Sequence, residues 1–220
     1  MFYTWIIENK ELIKIFYALT ITLICAVIVL KTDRLFRLSL HTGIRYLRNA
    51  FLFYGIGFII RYFLILQDYQ YITTIIFKYF FIMAGFFLLY SLLWKKIEGP
   101  KSPYHSSLFN TKIFLFYVMS FVIVALDYLW QTNYLMFYSQ IILFSLASII
   151  SYINYRKNGR HHKFLKFYFI AMMLSLTAWL LNALAVLLLN WNQGILIIIY
   201  LLNMIIFLLF LYGVIKVTKK

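Results

Sequence analysis

Acidic residues are scarce in this chain. Six Asp and Glu stand against 21 Lys and Arg, for a formal net charge of +15. Asp127 is the one carboxylate inside a long apolar run, and aspartyl chemistry needs a second. There are two prolines, Pro100 and Pro103, both beside Gly99 in one loop. No apolar run contains proline, so nothing signals the helices broken at the midplane that many transporters use. The single cysteine, Cys25, excludes an intrachain disulfide and leaves the redox compartment open. No G-x-S-x-G nucleophile motif and no Cys/His/carboxylate cluster with metal-ligand spacing is present. These absences argue against an enzyme and imply no cofactor and no metal site. His161 and His162 are adjacent, and on a helix adjacent side chains diverge by about 100°. A basic loop, RKNGRHHK, is the simpler reading of that pair.

Charged residues of all kinds make up 12% of the chain and hydrophobic ones 65%. A soluble domain carries about 25% and 45–50%. That much apolar surface implies an integral membrane protein. The runs do not alternate as barrel strands do, so the spans are helical. Seven stretches reach the roughly 20 residues a crossing needs. They are approximately 12–31, 49–66, 71–94, 112–130, 134–155, 164–189 and 195–217. The connections are too short for a domain linker, so residues 1–220 are expected to form a single domain, an all-α seven-transmembrane-helix bundle. The start, MFYTWIIENKELIK, lacks a basic region ahead of its apolar part and is expected to be retained rather than cleaved.

Lys and Arg set the orientation. Five flank the first loop (Lys31, Arg34, Arg37, Arg45, Arg48) and four the third (Lys95, Lys96, Lys101, Lys112). Five flank the fifth loop (Arg156, Lys157, Arg160, Lys163, Lys166), and three (Lys216, Lys219, Lys220) end the chain. The alternate loops QDYQ, QTN and NWNQG have none. The N-terminus is therefore expected outside and the C-terminus in the cytoplasm, with the net charge on one face. That asymmetry accounts for the basic balance without nucleic acid. It implies a multi-pass protein of a cell membrane, with anionic lipids at its cytoplasmic face. Arg34, Arg37, His41, Arg45 and Arg48 recur at helical spacing, as one amphipathic surface helix or an inward extension of span 2. With Arg156 and Arg160 they are the candidate docking surface for anionic lipid or a membrane or cytoplasmic protein partner.

Ionisable groups within spans default to functional hypotheses, because burying them in lipid is costly. Three occur, all in the outer half. Arg61, Lys78 and Asp127 lie about 9, 10 and 6 Å below the nearest span end at 1.5 Å per residue. Gln140, Asn182 and Asn203 join them at similar depth, so spans 2 to 7 each supply one strong hydrogen-bonding side chain to an outer layer. The inner half offers mainly Ser91, Ser120, Ser148, Ser151 and Asn154. Cβ bonds tilt toward a helix N-terminus. Lys78 thus leans outward, where it can snorkel, while Arg61 and Asp127 lean inward. Arg61 with Asp127 is the expected pair, with Asp68 or a bound anion as the alternative. Tyr62, Phe80, Trp130, Tyr134 and Trp179 are candidate aromatic liners, although Trp130 also fits an interfacial anchor. Gly55, Gly57 and Gly85 permit close helix contact.

In span number and outside N-terminus the chain is similar to microbial rhodopsins and other seven-helix receptors. A retinal protein needs a lysine in the middle of its last span, and here only Lys216 stands at that span's cytoplasmic end. A covalent chromophore is not expected. RYLRNAFLF at 45–53 resembles KFLKFYFIA at 163–171, and LLYSLLWKK resembles FLYGVIKVTKK. Those echoes would relate spans 1–3 to spans 5–7 around span 4, an arrangement similar to the small SWEET-type sugar transporters, whose bundle prolines this chain lacks. The expected function is a receptor-like or sensory module with an outward-facing pocket for a small polar or anionic ligand. A small-solute transporter using the same pocket and a non-catalytic structural subunit of a membrane assembly are the alternatives.

Overall fold

The computed structural model describes residues 10–39, 42–65, 70–98, 108, 110–130, 134–158, 163–188 and 193–218. Apolar runs without proline let each long segment close its own backbone hydrogen bonds, as lipid demands. Among the described residues there are seven helices and no strand: α1 Lys10–Ser39, α2 Thr42–Ile65, α3 Gln70–Glu98, α4 Thr111–Leu129, α5 Tyr134–Asn158, α6 Lys163–Leu188 and α7 Gln193–Thr218. Six are long and apolar enough to cross a bilayer, which points to a multi-pass membrane protein. The seventh, α2, is not among them. Its 24 residues include Arg45, Arg48, Asn49 and Arg61. Protein rather than lipid shelters its middle turns, where Asn49, Ala50 and Phe51 are all buried.

The helices form a ring. α1 packs on α2, α2 on α3, α3 on α5, α5 on α6, α6 on α7, and α7 returns to α1. α4 packs on α3 and α5 from outside the ring. Only 22% of its span is buried, against 56% for α3, so α4 is peripheral and α3 central. The buried stripe of α4 is Ile113, Ser120, Val124 and Asp127, one face at helical spacing. Aromatic rings fill the interior. Phe51 of α2 meets Phe207 and Phe210 of α7 edge-on at 5.9 and 5.0 Å, and Tyr17 of α1 stacks on Tyr200 of α7 at 4.6 Å. Such pairs each add about 0.5–1.5 kcal/mol beyond area burial.

The sequence read residues 33–48 as one stripe on one helix. The structure divides it. α1 runs on to Ser39, well past the expected end at residue 31, and α2 begins at Thr42. Arg34 and Arg37 therefore close α1, while Arg45 and Arg48 open α2. Asp33 accepts from Arg37 one turn on and from Arg48 across the helix pair, and Arg48 also donates to Asn49 Oδ1 at 3.3 Å. A carboxylate able to pair with both arms favours a hairpin over a continuous helix. Gly43 completes the junction: a Cβ there would collide with the Trp94 indole and sit 3.0 Å from the Ser91 carbonyl oxygen, so α2 and α3 meet closely at this end.

Candidate functional site

A cavity of about 310 Å³ lies inside the ring, lined by every helix except α4. The lining follows helical faces. α2 presents Phe51, Tyr54, Phe58 and Arg61, spaced by three and four residues. α3 presents Thr74, Phe77, Lys78 and Phe81, and α7 presents Tyr200, Asn203, Phe207 and Phe210. α6 adds Ser175, Trp179 and Asn182, and α5 adds Met136, Phe137 and Phe144. Four of the six residues singled out in the sequence thus meet at one cavity: Arg61, Lys78, Asn182 and Asn203.

Asp127 and Gln140 do not line it. Asp127 is completely enclosed, and its Oδ2 accepts from Lys78 Nζ at 2.9 Å. Its Oδ1 accepts from the Leu135 backbone N–H at 3.1 Å, in the first turn of α5. The carboxylate therefore holds α3 and also satisfies an otherwise orphaned donor at a helix N-terminus, where negative charge is favoured. The expected Arg61–Asp127 pair does not form. Asp127 belongs to α4, which packs on the outer side of α3 and α5, whereas Arg61 of α2 faces the cavity inside the ring. Lys78 correspondingly does not snorkel. It is 8% exposed, because its antiparallel neighbour presents a carboxylate at the same level. Asp68, the alternative partner for Arg61, lies outside the described residues. Arg61 is exposed at the polar end of the cavity, with its guanidinium carbon 4.5 Å from the Phe77 ring centroid.

Gln140 points the other way, into the α3–α5 contact. A Cβ on Gly85 would lie 2.9 Å from its Oε1 and 3.4 Å from its Nε2, so glycine makes the space the amide occupies. The side chain is fully buried, and neither amide atom has a protein hydrogen-bond partner. Residue count gives the level of Gln140 along α5; only the rotation of α5 against α3 decides which way it faces. Asn182 donates from Nδ2 to the Ala178 carbonyl at 2.9 Å, and Ser175 donates to the Ala171 carbonyl at 2.7 Å. Both thereby satisfy one group on their own helix.

The opposite end is filled by Tyr46, Phe87, Tyr90 and Tyr168, each less than 5% exposed. The Tyr168 hydroxyl lies 3.0 Å from Ser91 Oγ and donates to the Leu88 carbonyl at 3.3 Å, which ties α6 to α3 beneath the cavity. Of the aromatic liners expected from the sequence, Trp179 is one. Phe80 instead packs against Phe53 and Tyr79, Trp130 and Tyr134 are exposed, and the side chain of Tyr62 lies outside the described residues. Phe58, Tyr54 and Phe51 were missed, although they fall about one, two and three turns from Arg61 on the same face.

On the basic face, Arg34, Arg37 and Arg156 are exposed, Arg45 lies 4.8 Å over the Phe36 ring, and Arg48 is held by Asp33. Arg160, His161, His162, His41 and His105 lie outside the described residues. Among the described residues no group of three or more His, Cys, Asp or Glu is placed to hold a metal ion. No protein family model, curated protein or solved structure matches this chain.

Proposed function

We propose that this protein is a non-enzymatic, receptor-like seven-helix membrane protein, with its N-terminus outside and its C-terminus in the cytoplasm. Its outward-facing cavity takes a small polar or anionic ligand, and its basic cytoplasmic face meets anionic lipid or a protein partner. One observation carries the reading: Arg61, Lys78, Asn182 and Asn203 come from four different helices and converge on one cavity. Hydrogen-bonding groups that approach a pocket from several helices make its occupancy sensitive to how those helices sit, which is what a receptor requires. Lipid-exposed polar side chains would carry no such order. Arg34, Arg37, Arg45, Arg48 and Arg156 lie toward the opposite ends of their helices, where a shift in the bundle would be read.

The filled inner end favours a receptor over the transporter alternative. A transporter needs polar groups along both halves of its path, and below this cavity the interior is aromatic and tied by Tyr168 to α3. The test is thermal stability of the purified protein against a panel of small anions and polar solutes, for wild type and Arg61→Leu. Saturable stabilisation of wild type that weakens in Arg61→Leu supports the pocket. If no compound stabilises wild type and Arg61→Leu behaves identically, the pocket reading fails and a structural subunit becomes the better account. Solute flux into sealed vesicles would replace the receptor with the transporter.

A further inference from the structure

The cavity has a shape as well as a lining. Along α2 it runs from Arg61 to Phe51, ten residues or about 15 Å, and along α3 from Thr74 to Leu88, about 21 Å at 1.5 Å per residue. A cavity of about 310 Å³ lined by residues spread over that length is elongated rather than round. An extended molecule can reach residues at both ends of that length, and a compact solute cannot.

The lining is also graded along this length. Arg61, Thr74, Lys78, Asn182 and Asn203 all lie within ten residues of the outer helix ends. Below them the walls are Phe51, Tyr54, Phe144, Phe207, Phe210 and Leu88, with the Ser175 hydroxyl already turned onto its own helix. No Asp or Glu lines the cavity among the described residues, and of its two cations Lys78 is already paired with Asp127, which leaves Arg61 as the net positive charge. Positive charge and amide groups at the mouth with an aromatic well beneath match a head-and-tail molecule, since burying apolar walls against a tail is favourable and burying them against a polar solute is not.

We infer that the ligand is an anionic single-chain amphiphile, its carboxylate or phosphate head at Arg61 and its tail extended down the well toward Phe210. This rests on the ligand-pocket reading above and names its ligand class. A free fatty acid and a lysophospholipid share this chemistry.

The test uses full-length protein in zwitterionic nanodiscs, with each amphiphile titrated as a mole fraction of the lipid. Dodecanoate, dodecyl phosphate and lysophosphatidylglycerol should raise the melting temperature saturably, and dodecanol should not. Dodecanoate acting alone assigns the free acid, and lysophosphatidylglycerol acting alone assigns the lipid. Arg61→Gln should abolish the preference for dodecanoate over dodecanol. Ser175→Phe grows into the well about 10 Å below Asn182, and should abolish dodecanoate stabilisation. As a readout independent of stability, dodecanoate brominated at mid-chain should quench tryptophan saturably, and that component should vanish in Trp179→Phe. If acetate and inorganic phosphate stabilise as strongly as the chained anions and Ser175→Phe has no effect, the amphiphile is overturned while the polar pocket stands. Equal stabilisation by dodecanol overturns the anionic head. If nothing stabilises the protein, both readings fall together.

Discussion

Lys78 and Asp127 allow a quantitative test of how this bundle is held together. Their charges lie 2.9 Å apart with the carboxylate fully enclosed. Lys78→Met leaves the Asp127 charge enclosed without its countercharge, held by the Leu135 N–H. Leaving one partner of a buried pair uncompensated costs about 3–5 kcal/mol. Asp127→Leu removes the countercharge of Lys78, but that side chain lines the cavity and leans toward its polar end, so the penalty should fall at the low end, about 3 kcal/mol. The same change also frees the Leu135 N–H, a capping interaction that adds about 1 kcal/mol. The two single variants should therefore be destabilised by similar amounts. The double variant removes both charges and loses only the cap, so it should return to within about 1–2 kcal/mol of wild type. The assay is unfolding by SDS in mixed micelles, followed by far-UV circular dichroism and completed as a double-mutant cycle. A double variant destabilised by the sum of the single effects would refute the pair.

Gly85→Ala should destabilise by about 1–3 kcal/mol through overpacking against the enclosed Gln140 amide, and adding Gln140→Ala should relieve most of that loss in the same unfolding assay. Gln140→Leu should be neutral or stabilising, because replacing a polar group without a partner by an apolar one of similar shape removes a desolvation cost. Arg48→Met should cost about 1 kcal/mol, read as a lower melting temperature. Exchanging the charges, Asp33→Arg with Arg48→Asp, should recover part of it. Cysteine placed at Thr132 should be labelled by an impermeant maleimide from outside intact cells, and cysteine at Ser102 only after permeabilisation. The reverse pattern would invert the proposed topology.

The hydrophobic runs and their spacing were sufficient to locate the helices, because a bilayer forces each apolar segment to satisfy its own backbone. Boundaries were less secure where charge entered a helix. α1 extends through Asp33 to Ser39 because Asp33 is neutralised by Arg37 and Arg48, and composition alone placed that stretch outside the span. The position of each polar side chain along its own helix was likewise legible, since it is residue count times rise. Arg61, Lys78, Asp127, Gln140, Asn182 and Asn203 were placed in one layer on that basis.

Depth carries no information about azimuth. Whether a residue at a given level meets the cavity, a neighbouring helix or lipid depends on how each helix is rotated and which helices adjoin, and long-range packing sets both. Sequence composition thus determined a basic chain of long apolar helices and the place of each strong polar group along its own helix. Tertiary structure alone put α4 outside the ring, which gave Asp127 to Lys78 rather than Arg61, turned Gln140 onto Gly85, and left four polar side chains above an aromatic well.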